Sequence, residues 1–203
     1  MRVALLIWLA ALPALAFDPF EIQVYDGTAD APGEPSIEIH LNRHHDATHL
    51  TFEPAVGITR FWEIGGYLQF QQGHYEGVKL RSKFVTPEGM LGQFRLGLNF
   101  EIALDSNGNW GGEIRPILAF ENRRIIAAIN PNIGFPGASA EPGAMLKVKA
   151  GPVAIGAEYY GSLPDEHYLL AAIDLIAVKH LELNFGAGGG SAPVAKLILG
   201  YAF

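Results

Sequence analysis

From residue 36 onward the chain divides into segments of about ten residues in which apolar side chains alternate with polar or small ones. Successive side chains of a β-strand point to opposite faces, so each segment reads as a strand with one apolar face and one polar face. The plainest case is Phe94, Leu96, Leu98, Phe100 and Ile102, interleaved with Arg95, Gly97, Asn99 and Glu101. Ile114, Leu118 and Phe120 repeat the pattern, as do Ile64, Leu68 and Phe70. Turn formers separate the segments, among them Pro87-Glu88-Gly89, the run from Asp105 to Asn109, and Pro164-Asp165. The spacing predicts twelve strands: 36–45, 48–59, 62–71, 75–85, 92–103, 110–121, 124–135, 142–149, 152–161, 166–177, 180–189 and 194–203. Ten or fourteen strands would give the same architecture.

Composition says where the apolar faces go. The chain is 49% hydrophobic and 17% charged, yet beyond its first residues it has no apolar run long enough for a transmembrane helix, which needs about 20 residues. Strands of about ten residues cross a bilayer when tilted, provided the sheet closes so that no unpaired edge meets lipid. The predicted fold class is therefore all-β: a transmembrane antiparallel up-and-down β-barrel of about twelve strands over residues 36–203. A soluble sandwich or lipocalin-like barrel is the alternative, and it would turn the same apolar face inward.

The two ends agree with the membrane reading. Met1-Arg2, the uncharged run Val3 to Leu12 and the small-residue site Ala14-Leu15-Ala16 read as a secretory signal over residues 1–16, removed to start the mature chain near Phe17. At the other end Leu197, Leu199, Tyr201 and Phe203 share one strand face. A chain stopping on an aromatic in this pattern resembles bacterial outer-membrane β-barrels. That resemblance implies an outer-membrane location, with Leu199, Tyr201 and Phe203 as the assembly signal. The implied partners are outer-membrane lipids, the barrel assembly machinery and periplasmic chaperones. A second resemblance rests on Phe20-Glu21-Ile22-Gln23-Val24-Tyr25-Asp26-Gly27-Thr28-Ala29 followed by Ile37-Glu38-Ile39-His40-Leu41-Asn42. These two words are similar to a group of uncharacterised proteobacterial outer-membrane β-barrel proteins, and they bring no catalytic residues.

Several chemistries are excluded. The absence of cysteine removes a lipoprotein anchor, disulfides and thiol catalysis. A net charge of −7 argues against nucleic acid as a partner. The glycines of 186–190 sit at a strand end and not between a strand and a helix, so no nucleotide cofactor is expected; none of any other kind is indicated.

With the apolar face outward, the lumen receives nine acids: Glu38, Glu53, Glu63, Glu101, Glu113, Glu121, Glu158, Asp174 and Glu182. It also receives eight bases: Lys79, Arg81, Lys83, Arg95, Arg115, Lys147, Lys149 and Lys196. Such a balance describes an ion-pair network that packs the lumen, or a narrow polar pore whose basic stripe selects small anionic solutes. The pore is the preferred reading, with Lys79, Arg81, Lys83, Arg95 and Arg115 opposed by Glu63, Glu101 and Glu113; a closed structural or interaction barrel is the runner-up. Residues 17–35 form a separate N-terminal segment in which Phe20–Asp26 alternates as a short strand. It is expected to plug the lumen, cap its periplasmic mouth or add a strand at the rim, and in any case to contact the lumen.

Two further readings carry less weight. His44, His45 and His49, close to His40 and Asp46, are weak metal-ligand candidates whose spacing matches no closed set. A lipid hydrolase needs a serine within reach of a histidine; Ser82 is the serine expected mid-wall facing lipid, and no histidine is expected beside it. No catalytic residue is assigned. Phe61, Trp62, Trp110, Tyr159, Tyr160, Tyr168, Tyr201 and Phe203 are expected to form an aromatic girdle at the membrane interfaces.

Overall fold

The structure, a computed structural model, describes residue 18 and residues 20–136, 139–176 and 180–203. The expected signal over residues 1–16 and the start at Phe17 lie outside the described residues. Among those described, regular structure is strand alone, and no helix is long and apolar enough to cross a membrane. Twelve antiparallel strands close into one barrel. They are β1 Pro35–His44, β2 Ala47–Thr59, β3 Trp62–Gln71, β4 His74–Val85, β5 Phe94–Asp105, β6 Trp110–Glu121, β7 Ile125–Phe135, β8 Ser139–Ala150, β9 Val153–Ser162, β10 Glu166–Leu175, β11 Leu181–Gly190 and β12 Val194–Ala202. Each pairs with its sequence neighbours, and β1 closes on β12 from Ser36↔Ala202 to His44↔Val194.

The wall has the two faces that the alternation predicts. On β4, Leu80 is 72% exposed while its neighbours Lys79 and Arg81 are 8% and 5% exposed. Leu96, Ile102, Ile129, Leu146 and Leu169 likewise stand on the outside, with charged and amide side chains behind them. An outer apolar belt around a charged interior is stable in lipid, where the leucines lose nothing and the charges are shielded. Leu80→Arg tests this assignment. On a water-facing surface the change would be nearly neutral, but at mid-wall in a bilayer it is expected to cost about 2–4 kcal/mol, read from urea unfolding in phospholipid vesicles.

The departures from ideal pairing are local, a register shift between β3 and β4 at Gln69/Phe70 among them. Ladder pairing between β6 and β7 lapses between Ile114↔Ile133 and Leu118↔Ile129, where Pro116 and Pro131 have no N–H to give. A bulge interrupts β2 and β3 between Gly57 and Thr59. The rim opposite Pro35 and Ala202 is here called the far rim. Its hairpin connections are two to four residues long, so none has the length to fold back into the barrel.

The expected short strand at Phe20–Asp26 does not form. Every strand of a closed barrel already has two partners, which leaves no edge to receive another. The segment lies inside the barrel instead, and side chains of the wall satisfy its backbone. The Tyr25 N–H donates to Asn130 Oδ1 (2.5 Å), and Asn130 Nδ2 returns a bond to the Tyr25 carbonyl (3.2 Å). Asn42 and Thr51 donate to the Phe20 carbonyl, and Tyr160 to that of Ile22. Towards the near rim the Asp30 N–H donates to Glu63 Oε2 (2.8 Å), and Gly33 bonds Gly57 across a backbone bridge. The segment thus runs from near the far half of β1 and β2 down to the start of β1.

Candidate functional site

The interior has two unlike sides. Around β7 to β12 it is partly apolar: Ile126, Ala128, Met145, Leu170 and Val194 are buried together with Ile22 and Val24 of the segment. Ile22 is fully enclosed, and burying such a side chain stabilises by roughly 1.5–3 kcal/mol. From β2 to β6 the interior is charged, and the strand register decides which charges meet. Glu63 lies opposite Lys83, and Arg81 opposite Glu101. Glu101 and Glu113 also face each other across β5 and β6, an unfavourable like-charge pair unless cations stand between them.

Those cations are present. Lys79 Nζ lies 3.2 Å from Glu101, and Arg115 donates to Glu113 at 2.9 Å. Asn99 and Tyr67 donate to Glu101 at 2.7 and 3.0 Å, and Asn132 donates to Glu113 at 2.6 Å. A second group joins Arg81 to Glu53 (2.8 Å) and to Glu63, with Lys83 also on Glu63 (2.9 Å). His40 bridges Glu38 and Glu53 at 3.1 and 3.2 Å. A third group lies apart on β8 to β12, where Lys147 pairs with Glu158 and Asp174 and Lys196 pairs with Glu158. Arg95, Lys149 and Glu121 form a rim cluster of their own. All eight bases read from the sequence therefore face inward and hold a carboxylate. Of the residues singled out for the pore, seven lie in the two central groups; Arg95 sits at the rim.

The N-terminal segment completes the central groups. Asp18 reaches Lys79 at 2.7 Å, and Glu21 reaches Arg115 at 2.8 Å and Lys79 at 3.5 Å. Tyr25 donates to Glu21 (2.6 Å), and its hydroxyl oxygen lies 2.9 Å from that of Tyr67. Gly27 then turns the chain with φ +78°, and a Cβ there would stand 2.9 Å from that of Arg95, so only glycine fits without displacement. A half-open cavity of about 30 Å³ lies between Asp18, Glu21, Arg115, Asn130 and Glu141, room for about one water. A wider depression of about 390 Å³, lined by Leu41, Leu50, Phe52 and Phe70, lies on the outer wall and has no part in the lumen.

Other sequence expectations fall differently. His44 and His45 meet Glu166, with their possible ligand atoms within 4.8 Å of one another. His49 instead packs edge-on against Phe20 at 4.7 Å, so the three histidines form no common set. His44 also bonds the Tyr168 hydroxyl at 2.7 Å. Tyr160 and Tyr168 do not belong to the girdle. They share the parity of Glu158 and Leu170 and are buried in the lumen, at 5% and 1% exposure, while Trp110, Tyr201 and Phe203 do stand outside. Ser82 faces outward and accepts a hydrogen bond from Trp62 Nε1 (2.9 Å).

A closed antiparallel barrel with a lipid-facing belt and a charged interior defines a transmembrane β-barrel. Searches against protein-family models and against curated proteins find no match to this sequence. Solved structures do match in fold. The KdgM porin superposes with a TM-score of 0.65 at 12% identity, over 83% of this chain and 99% of that one; the same figures hold for that porin in complex with disordered oligogalacturonate. An outer membrane channel from Pseudomonas putida F1 superposes with a TM-score of 0.64 at 10% identity, over 90% of this chain and all of that one. The fold is that of outer-membrane porin-like channels.

Proposed function

We infer that the protein is a narrow channel for small solutes in the bacterial outer membrane, closed in the described state by residues 20–34 together with Asp18. The observation that carries this reading is what fills the lumen. The wall alone leaves a charged central space, and a separate segment, held by non-covalent contacts, closes it. The porin-like fold supports the reading, and one such porin binds an oligogalacturonate. Lys79, Arg81, Lys83 and Arg115 then line the path, with Glu63, Glu101 and Glu113 opposite. Delivery through a cleaved signal at residues 1–16, periplasmic chaperones and recognition of Leu199, Tyr201 and Phe203 by the assembly machinery belong to the same reading, as does kinship with the proteobacterial proteins that share the words at 20–29 and 37–42. No enzymatic role is assigned.

A closed structural barrel is the second reading, favoured by the near-complete pairing of the lumen charges. Ion selectivity separates the two. Lysine and arginine rings favour anions, so replacing Lys79, Arg81 and Lys83 together with glutamine is expected to turn the reversal potential of an open barrel from anion-selective towards cation-selective. The measurement is a planar-bilayer recording under a salt gradient. An unchanged reversal potential would remove these residues from the path.

A further inference from the structure

We propose that Asp18, Glu21 and Tyr25 occupy the place of a ring-bearing polycarboxylate solute, and that such a solute opens the barrel by displacing the segment. The proposal rests on the channel reading above. Between residues 18 and 34 the chain carries five acids, Asp18, Glu21, Asp26, Asp30 and Glu34, and no lysine or arginine. Two of these carboxylates sit on two wall cations, Lys79 and Arg115. Glu21 and Tyr25 are hydrogen-bonded to each other, so the segment presents a carboxylate and a six-membered ring as one unit. The ring stands among cations: the Arg115, Lys83 and Arg81 centres lie 5.0, 5.4 and 5.9 Å from its centroid.

The wall keeps unspent capacity for an anion at this place. Arg81 Nε and Arg115 Nε are buried and have no acceptor among the described residues. A guanidinium presents its donors as a fork that fits a carboxylate side-on. When the segment leaves, it takes its acids with it, and Lys79 and Arg115 keep only Glu101 and Glu113, two carboxylates that already face each other. A simple monovalent anion restores one of the lost partners. A molecule with two or more carboxylates restores both, and a ring between them replaces the cation–π contacts of Tyr25. Such a solute binds the open lumen and not the filled one, so its binding shifts the population towards open.

The chain has no cysteine, so Val24→Cys introduces a single thiol at a position 7% exposed. Its alkylation by a water-soluble maleimide reports departure of the segment without requiring flux. Trigalacturonate or benzene-1,3,5-tricarboxylate is expected to accelerate alkylation about tenfold, whereas maltotriose and sodium chloride of equal ionic strength leave it unchanged. Glu21→Gln should raise the rate in the absence of solute, and Lys79→Gln with Arg115→Gln should abolish the response. Retention of the β-sheet circular dichroism signal shows that each variant folds. A folded barrel alkylated at one rate with and without both polycarboxylates overturns the proposal, and so does equal acceleration by salt. Acceleration in a barrel that never conducts would leave the binding site standing and defeat the channel; conduction without acceleration would do the reverse.

Discussion

Replacing Arg81 with alanine is expected to destabilise the barrel by about 3–5 kcal/mol, the cost of leaving buried charge uncompensated. Arg81 is almost wholly enclosed and lies between Glu53 and Glu63, whose side chains are 1% and 3% exposed. Its guanidinium also lies 5.9 Å from the centroids of both Tyr25 and Tyr67. Deletion therefore strands two carboxylates at once. His40 remains beside Glu53 and Lys83 beside Glu63, which holds the loss within that range. Lys149, which pairs with Glu121 at the partly exposed rim, provides the contrast. Lys149→Ala should cost less than about 1 kcal/mol, because solvent screens the charge that is left. Urea unfolding at constant slope measures both. Equal losses would mean that the central charges are hydrated, and the closed-lumen description would fail.

The charge register was legible in the sequence for a simple reason. Strand parity is strict, so once Phe94 to Leu104 is turned outward, Arg95, Asn99 and Glu101 can only point in. The same parity places Lys79, Arg81 and Lys83 together on β4. Strand ends moved by up to three residues, as where β8 begins at Ser139 and not at 142, because turn residues mark a connection without fixing its last ladder bond.

The N-terminal segment was not legible in the same way. Alternation in Phe20–Asp26 resembles a strand, but Glu21, Ile22, Val24 and Tyr25 are all buried, on both parities. A segment enclosed on every side has no solvent face, so a two-fold pattern carries no information about its partners. Its acids gave no signal either, since the wall charges were already near balance without them. Tyr160 and Tyr168 depart from the expected girdle because a tyrosine near a strand end suits either a membrane interface or a polar lumen; only the parity shared with Glu158 and Leu170 separates the two cases.

The second large effect concerns conduction. Gly143 on β8 lies beside the segment, and a Cβ built there would stand 3.6 Å from Val24 Cγ2. Val24→Cys with Gly143→Cys therefore brings two sulfurs near bonding reach and ties the segment to the wall in a chain that has no other thiol. Deleting residues 20–30 does the opposite, leaving a lumen without its filling. Ile22 and Val24 contribute burial to the filled state, so the intact chain should open rarely and the deleted one should stay open. The folded deletion variant is then expected to conduct at least about tenfold more in time average than the intact chain, the difference between a minor and a dominant open population.

Planar-bilayer current through the Val24→Cys, Gly143→Cys double variant, recorded oxidised and then after addition of reductant to the same membrane, tests the central claim most directly. The account predicts silence while the disulfide holds and channel openings once it is reduced. An oxidised barrel that conducts as freely as the reduced one, or a folded barrel lacking residues 20–30 that passes no current, would contradict it.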